Sequence, residues 1–292
     1  MSAQKNTERL NIKDESKPLN LNRVIRLHDL NQQFTNHFDH LGGGHLRITT
    51  PGVEIAIQQS TLSPTLYEGE DLSWPEAGVT ISMESLENIY TRQLPSGMIL
   101  LECDFEKTQA GLSFLFQPES KLPLFELIME LNEAESLSLL TFEKRRSDSR
   151  KITETCACCI DRARRIKNRL REHPLCQILE SIQLQGGGVE ININNEHVRI
   201  LSLWKIDQIE YDEGRILLSG RNDILSIDVS QIFGMQIHQE SQRGVMRSIF
   251  SCHHSCKGEM IVLSVIGESD STDWVKICEA NQSIYIPVGS EV

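Results

Sequence analysis

The chain is short of cations: 29 Lys and Arg stand against 41 Asp and Glu in 292 residues, a formal net charge of −12. A nucleic-acid surface needs clustered Lys and Arg to neutralise phosphates, so this balance argues against nucleic acid as the main partner. Long apolar runs are missing too. Stretches such as Met98–Leu101 and Met260–Ile266 are strand-length, well short of the ~20 residues that span a bilayer, and no membrane partner is expected. The opening residues, Met1 to Leu10, have no apolar core of the signal-peptide kind. The expected location is the cytoplasm, where the eight cysteines stay mostly reduced. Catalytic signatures are also absent: no Walker A loop, no G-x-G-x-x-G opening a helix, no G-x-S-x-G elbow, no H-E-x-x-H. The Gly42–Gly44 and Gly186–Gly188 runs precede strand-like sequence and read as bends rather than phosphate cradles. Glu68, Glu70 and Asp71 have no companion base, so hydrolytic machinery is not visible and the balance is against an enzyme.

What the sequence does contain is a repetition. Gly52-Val53-Glu54-Ile55-Ala56-Ile57 returns as Gly188-Val189-Glu190-Ile191-Asn192-Ile193, and Val79–Tyr90 matches the pattern of Ile224–Met235. Further on, Met98–Asp104 pairs with Val245–Ser251, Gly111–Phe116 with Gly258–Leu263, and Leu124–Ile128 with Asp273–Ile277. A period of roughly 140 residues is domain-sized, pointing to a duplicated domain rather than a solenoid.

Residues 1–20 are polar and read as a flexible tail. From Leu21, the spacing of Val24, Leu27, Leu30, Phe34 and Phe38 predicts a helix that stops at Gly42. Alternating runs then predict strands at Leu46–Ile48, Val53–Ile57, Val79–Met83, Ile99–Cys103 and Leu112–Phe116, joined by turns too short for parallel crossovers. A helix over Leu122–Leu131 closes the half. The second half opens with a helix over Glu154–Glu172, ended by Pro174, with Ile160, Ala163, Ile166 and Leu170 on one face. Its other face carries Arg162, Arg164, Arg165, Lys167, Arg169 and Arg171, either a solvated face or a docking strip for an anionic group. Strands follow from Val189 to Val265, then a helix over Thr272–Ala280 and an extended Ser283–Val288. The expected class is α+β, with two tandem homologous domains over 21–150 and 151–292, each an antiparallel sheet flanked by helices.

Two clusters could carry chemistry. Cys156, Cys158 and Cys159 on the helix, with Cys252 and Cys256 in an expected turn, are zinc-type ligands, and Cys252 to Cys256 has C-x3-C spacing. Against zinc, adjacent helical cysteines diverge by about 100° and cannot easily share an ion. His37, His40 and His45 surround the triple glycine, with His37 and His40 at i and i+3. That grouping suits a haem or metal site and equally a glycine-capped helix end.

The strand order, the strand–dipeptide–aromatic pattern of Ile81–Tyr90 and Leu225–Phe233, and the hairpins Glu102–Gly111 and Ser248–Gly258 followed by Phe125 and Trp274 resemble the tandem HemS/ChuS/HmuS haem-utilisation proteins and the single-domain ChuX/HutX proteins. The resemblance covers residues 44–131 and 182–280. It implies a cytoplasmic haem-binding or haem-trafficking protein, with haem or another small planar ligand as partner. The axial ligand would be His173, or one of His37, His40 and His45, and Arg199 would be among the propionate partners. The chain departs from the family at Gly187–Asn192, which lacks the family's basic residue and histidine. The alternatives are a duplicated interaction module that has lost its haem site, and a zinc protein built on Cys156, Cys252 and Cys256. A homodimer would cover the edge strands such sheets leave open.

Overall fold

Among the described residues, alternating stretches such as Val53–Gln59 and Gly188–Asn194 are extended and bury one face. The computed structural model describes residues 23–27, 43–60, 64–67, 71–105, 111–116, 133–151, 157–242, 245–254, 258–266 and 284–287. The first half supplies β1 (Arg23–Leu27), β2 (Gly44–Thr50), β3 (Val53–Gln59), β4 (Thr65–Tyr67), β5 (Asp71–Trp74), β6 (Val79–Ser82), β7 (Leu86–Gln93), β8 (Ile99–Phe105), β9 (Gly111–Phe116) and β10 (Glu133–Ser138). Three helices follow, α1 (Leu139–Lys151), α2 (Ala157–Asn168) and α3 (Pro174–Leu184). The second half supplies β11 (Gly188–Asn194), β12 (Val198–Lys205), β13 (Gln208–Asp212), β14 (Arg215–Ser219), β15 (Ile224–Asp228), β16 (Ile232–Gln242), β17 (Val245–His254), β18 (Gly258–Ile266) and β19 (Ile284–Pro287).

The strands form two antiparallel sheets, and each half of the sequence contributes to both. One sheet runs β10-β1-β7-β8-β9-β2-β3-β15-β14-β13, the other β19-β16-β17-β18-β11-β12-β6-β5-β4. The first half thus lends β4, β5 and β6 to the sheet of the second half, and receives β13, β14 and β15 in return. The joins are ordinary ladders: Leu225 faces Ile55 and Ile227 faces Val53 at one, Ile200 faces Val79 and Val198 faces Ile81 at the other. Gly78 marks a close approach at the second join. Its φ is 65°, and a Cβ there would lie 1.9 Å from the Leu201 carbonyl oxygen, so a side chain would break the junction.

Aligning the two sheets strand by strand places β2 with β11 and β3 with β12. The Gly52–Ile57 and Gly188–Ile193 match therefore joins β3 to β11, strands one place apart in their sheets. The later matches of β6 with β15, β8 with β17 and β9 with β18 agree with the sheet order.

A single apolar cluster runs through both sheets and both halves, from Ile25, Leu46 and Ile55 to Leu225, Phe250 and Leu263. Trp74 of one sheet meets Phe114 of the other with ring centroids 5.7 Å apart, and Phe105 stacks on His197 at 5.4 Å, so aromatic contacts bridge the sheets. Burying each such side chain contributes about 1.5–3 kcal/mol. Leu175, Ile178, Leu179 and Ile182 make α3 part of this core, and Ile166 and Leu170 anchor α2 to it. A satellite cluster of Val24, Leu137 and Phe142 seats α1 beside β1.

Several expectations change. Instead of beginning a helix at Leu21, the chain forms β1, hydrogen-bonded between β10 and β7, because consecutive residues Val24 and Ile25 are both buried. Among the described residues α-helices are confined to 139–184, between the strands of the two halves. Pro174 opens α3 as its first residue, a place where its missing N–H is harmless. Tail residues 1–20 and the expected helices over Leu122–Leu131 and Thr272–Ala280 lie outside the described residues. No helix among the described residues is long and apolar enough to cross a membrane.

Candidate functional site

His173 sits at the start of α3, between the turn Leu170–Glu172 and Pro174. It is 5% exposed, and its Nδ1 accepts the backbone N–H of Leu175 at 3.1 Å, capping the helix. A neutral imidazole has one donor and one acceptor nitrogen; with Nδ1 accepting, the proton resides on Nε2. That Nε2 is buried and has no hydrogen-bond partner among the described residues. Burial also pulls the imidazole down from 6.5 to about 4, so the ring is neutral near pH 7.

The same face of α3 carries further polar groups held in unreactive forms. Cys176 donates its thiol to the Leu170 carbonyl at 3.0 Å, and burial, then the charge of Glu180, pushes it up to about 12. Tyr211 donates its hydroxyl to Glu180, and burial followed by that hydrogen bond raises the phenol. Arg171 lies 5.2 Å above the Tyr211 ring. A protonated thiol and phenol are poor nucleophiles and metal ligands, and the His173 lone pair on Nδ1 is already spent on the helix cap.

The sequence candidates are dispersed. His45 is half-buried on β2, in register with Gln58 and Leu115, and by strand alternation shares a face with Arg47, which pairs with Glu54 at 2.7 Å. Arg199 is exposed on β12, opposite Asn194 and Thr80. No hydrogen bond or ion pair joins His45, His173 and Arg199 to one another among the described residues. Cys252 lies on β17 between Met235 and Ile261, fully buried, not in a turn. Burial, then Glu259, pushes its thiol up to about 12, the protonated form that does not ligate metal. Among the described residues no group of three His, Cys, Asp or Glu could hold a metal ion. His37, His40, Cys156 and Cys256 lie outside the described residues.

A cleft of about 410 Å³ was not anticipated. It opens where the chain leaves β12 for β13 and is lined by Leu203, Trp204, Lys205, Asp207, Gly220, Arg221 and Asp223. Hydrogen bonds fix its frame: Gln183 Nε2 donates to the Asp207 carbonyl at 2.9 Å, and the Gln58 N–H donates to Asp223 Oδ1 at 3.1 Å. The lining comes from two short stretches, 203–207 and 220–223, that bracket the β13–β14 hairpin. The cleft is half open to solvent and sets Lys205, Asp207, Arg221 and Asp223 beside Trp204, with no paired nucleophile and base among them.

A haem site was tested against these residues. An iron-ligating histidine presents a lone pair from one nitrogen and donates an N–H from the other. His173 does the reverse, since Nδ1 accepts and Nε2 bears the proton, so it does not fit as an axial ligand in this arrangement.

The fold is that of solved haem-binding and haem-degrading proteins. PhuS, a haem-binding protein from Pseudomonas aeruginosa, superposes in its apo form with a TM-score of 0.60 at 9% identity, over 89% of this chain and 87% of that one. The haem-degrading enzyme ChuS of Escherichia coli O157:H7 gives 0.61 at 9% identity, with the same coverages. No family model and no curated protein sequence matches the chain.

Proposed function

We propose that the protein is a cytoplasmic haem-handling protein of the haem-utilisation type, derived by tandem duplication of one domain, and that its iron ligand is not His173. The observation that carries this reading is the fold: two sheets with the same order of pairings, alike over most of the chain to proteins that bind or degrade haem. The ligand is then assigned to the segment of His37, His40 and His45 around the triple glycine. Binding or transfer of the porphyrin is proposed, not its breakdown.

Haemin titrated into the reduced, metal-free protein is expected to give a saturable Soret band. His173→Asn should leave the band in place, because asparagine can still cap α3. Replacing His37, His40 and His45 together by alanine should abolish it. A flat titration of the parent protein would refute the reading and support a second one, which the capping role of His173 favours: a duplicated interaction module without a haem site.

A further inference from the structure

In a chain with 12 more acids than bases, residues 162–171 contain six Lys or Arg and no Asp or Glu. The structure shows what holds them. Ile166 and Leu170 are buried, 6% and 8% exposed, and fix α2 and the turn after it on the core. Lys167 runs past Gly214, where an added Cβ would lie 2.8 Å from its Cγ. Arg164, Arg165, Lys167, Arg169 and Arg171 all remain exposed. Arg164 pairs with Asp161 at 3.6 Å, both side chains largely in solvent, which offsets little of the charge. Ile160 lies on the same helix face, one turn before Arg164 and two before Lys167, and is half exposed, an apolar contact beside two cations.

We propose that this strip docks an acidic segment of a partner protein. The helix is anchored from behind, so its cations are presented from a rigid surface and little ordering entropy opposes binding. Ile160 gives the N-terminal end of the contact an apolar anchor, which carboxylates alone would not use. A nucleic-acid duplex fits worse: it carries a charge about every 1.7 Å along its axis, and its length would run past the strip into repulsion from an otherwise acidic protein. The inference does not depend on haem, and the two readings can fail separately.

The test is fluorescence anisotropy of a fluorescein-labelled peptide of glutamates punctuated by leucines, titrated with the full chain at low salt. The triple variant R164E/R165E/R169E should bind about tenfold more weakly or worse, while Lys144→Glu with Arg145→Glu, an exposed cation pair on α1, should bind like the parent. Ile160→Ser should weaken the leucine-containing peptide and leave an all-glutamate peptide unchanged. Equal weakening by both sets of charge reversals, absence of peptide binding, or a preference for labelled duplex DNA would each overturn the proposal. So would salt-sensitive self-association of the chain without peptide binding.

Discussion

Cut between Lys151 and Ala157 and expressed apart, the two halves are expected to fail as independent folded monomers and to recover one cooperative fold when mixed. Each half alone has two strands with a sheet neighbour in the other half: β3 and β6 of the first would lack β15 and β12, and β12 and β15 of the second would lack β6 and β3. Separation would expose the edges of β3 and β12 together with Ile55, Ile200, Leu225 and Ile227, all at most 1% exposed in the intact chain. Unpaired apolar edges recruit other strands, so each half should aggregate or pair with its own copy. Size-exclusion chromatography and thermal unfolding by circular dichroism, on the halves and on their mixture, check this. Monomeric halves with their own unfolding transitions would contradict the strand exchange.

The second large effect concerns acid. In the folded protein His173 titrates at about 4, against 6.5 when solvated. Between those values the unfolded chain binds a proton that the folded chain refuses, so stability is lost as pH falls through the unfolded value, down to about 4. Above pH 6.5 the group contributes no slope. From about pH 7.5 to about pH 5 the loss from this residue is about 2 kcal/mol. His173→Asn should remove that component while keeping the cap, which urea unfolding of both proteins at the two pH values will reveal as a flatter profile in the variant. Identical profiles would show that His173 is not buried neutral.

Much of the fold was legible because burial on one face writes itself as alternation. Val53, Ile55 and Ile57, or Val189, Ile191 and Ile193, announce strands without help from the rest of the chain. The same property misled the alignment of the halves. Gly-Val-Glu-Ile begins both β3 and β11 because both start at a glycine and turn Val and Ile inward, so the identity reports a face pattern and not a place in the sheet. By place in the sheet β11 corresponds to β2, whose buried residues are Leu46, Ile48 and Thr50. Strand exchange itself left no local trace, since Gln58 meets Asp223 across 165 residues of sequence.

The site was less legible for related reasons. His173-Pro174 carried a helix-start signal, proline at the first helical position, but was read as the end of the preceding helix. With α3 unrecognised, His173 looked like an uncommitted imidazole. Cys252 looked like a turn ligand because two histidines follow it, whereas the strand continues to His254 and turns the thiol into the core. The cleft beside Trp204 exists only once the end of β12 and the 220–223 turn are brought together.

The most direct test of the central claim, that a fold like that of PhuS and ChuS here carries His173 as a helix cap, is long-range nitrogen–proton NMR of the histidine rings, with and without haemin. The account predicts that His173 bears its proton on Nε2, stays neutral to about pH 5, and keeps its ring signals when haemin is bound. A proton on Nδ1, or loss of the His173 signals to the paramagnetic iron, would contradict it.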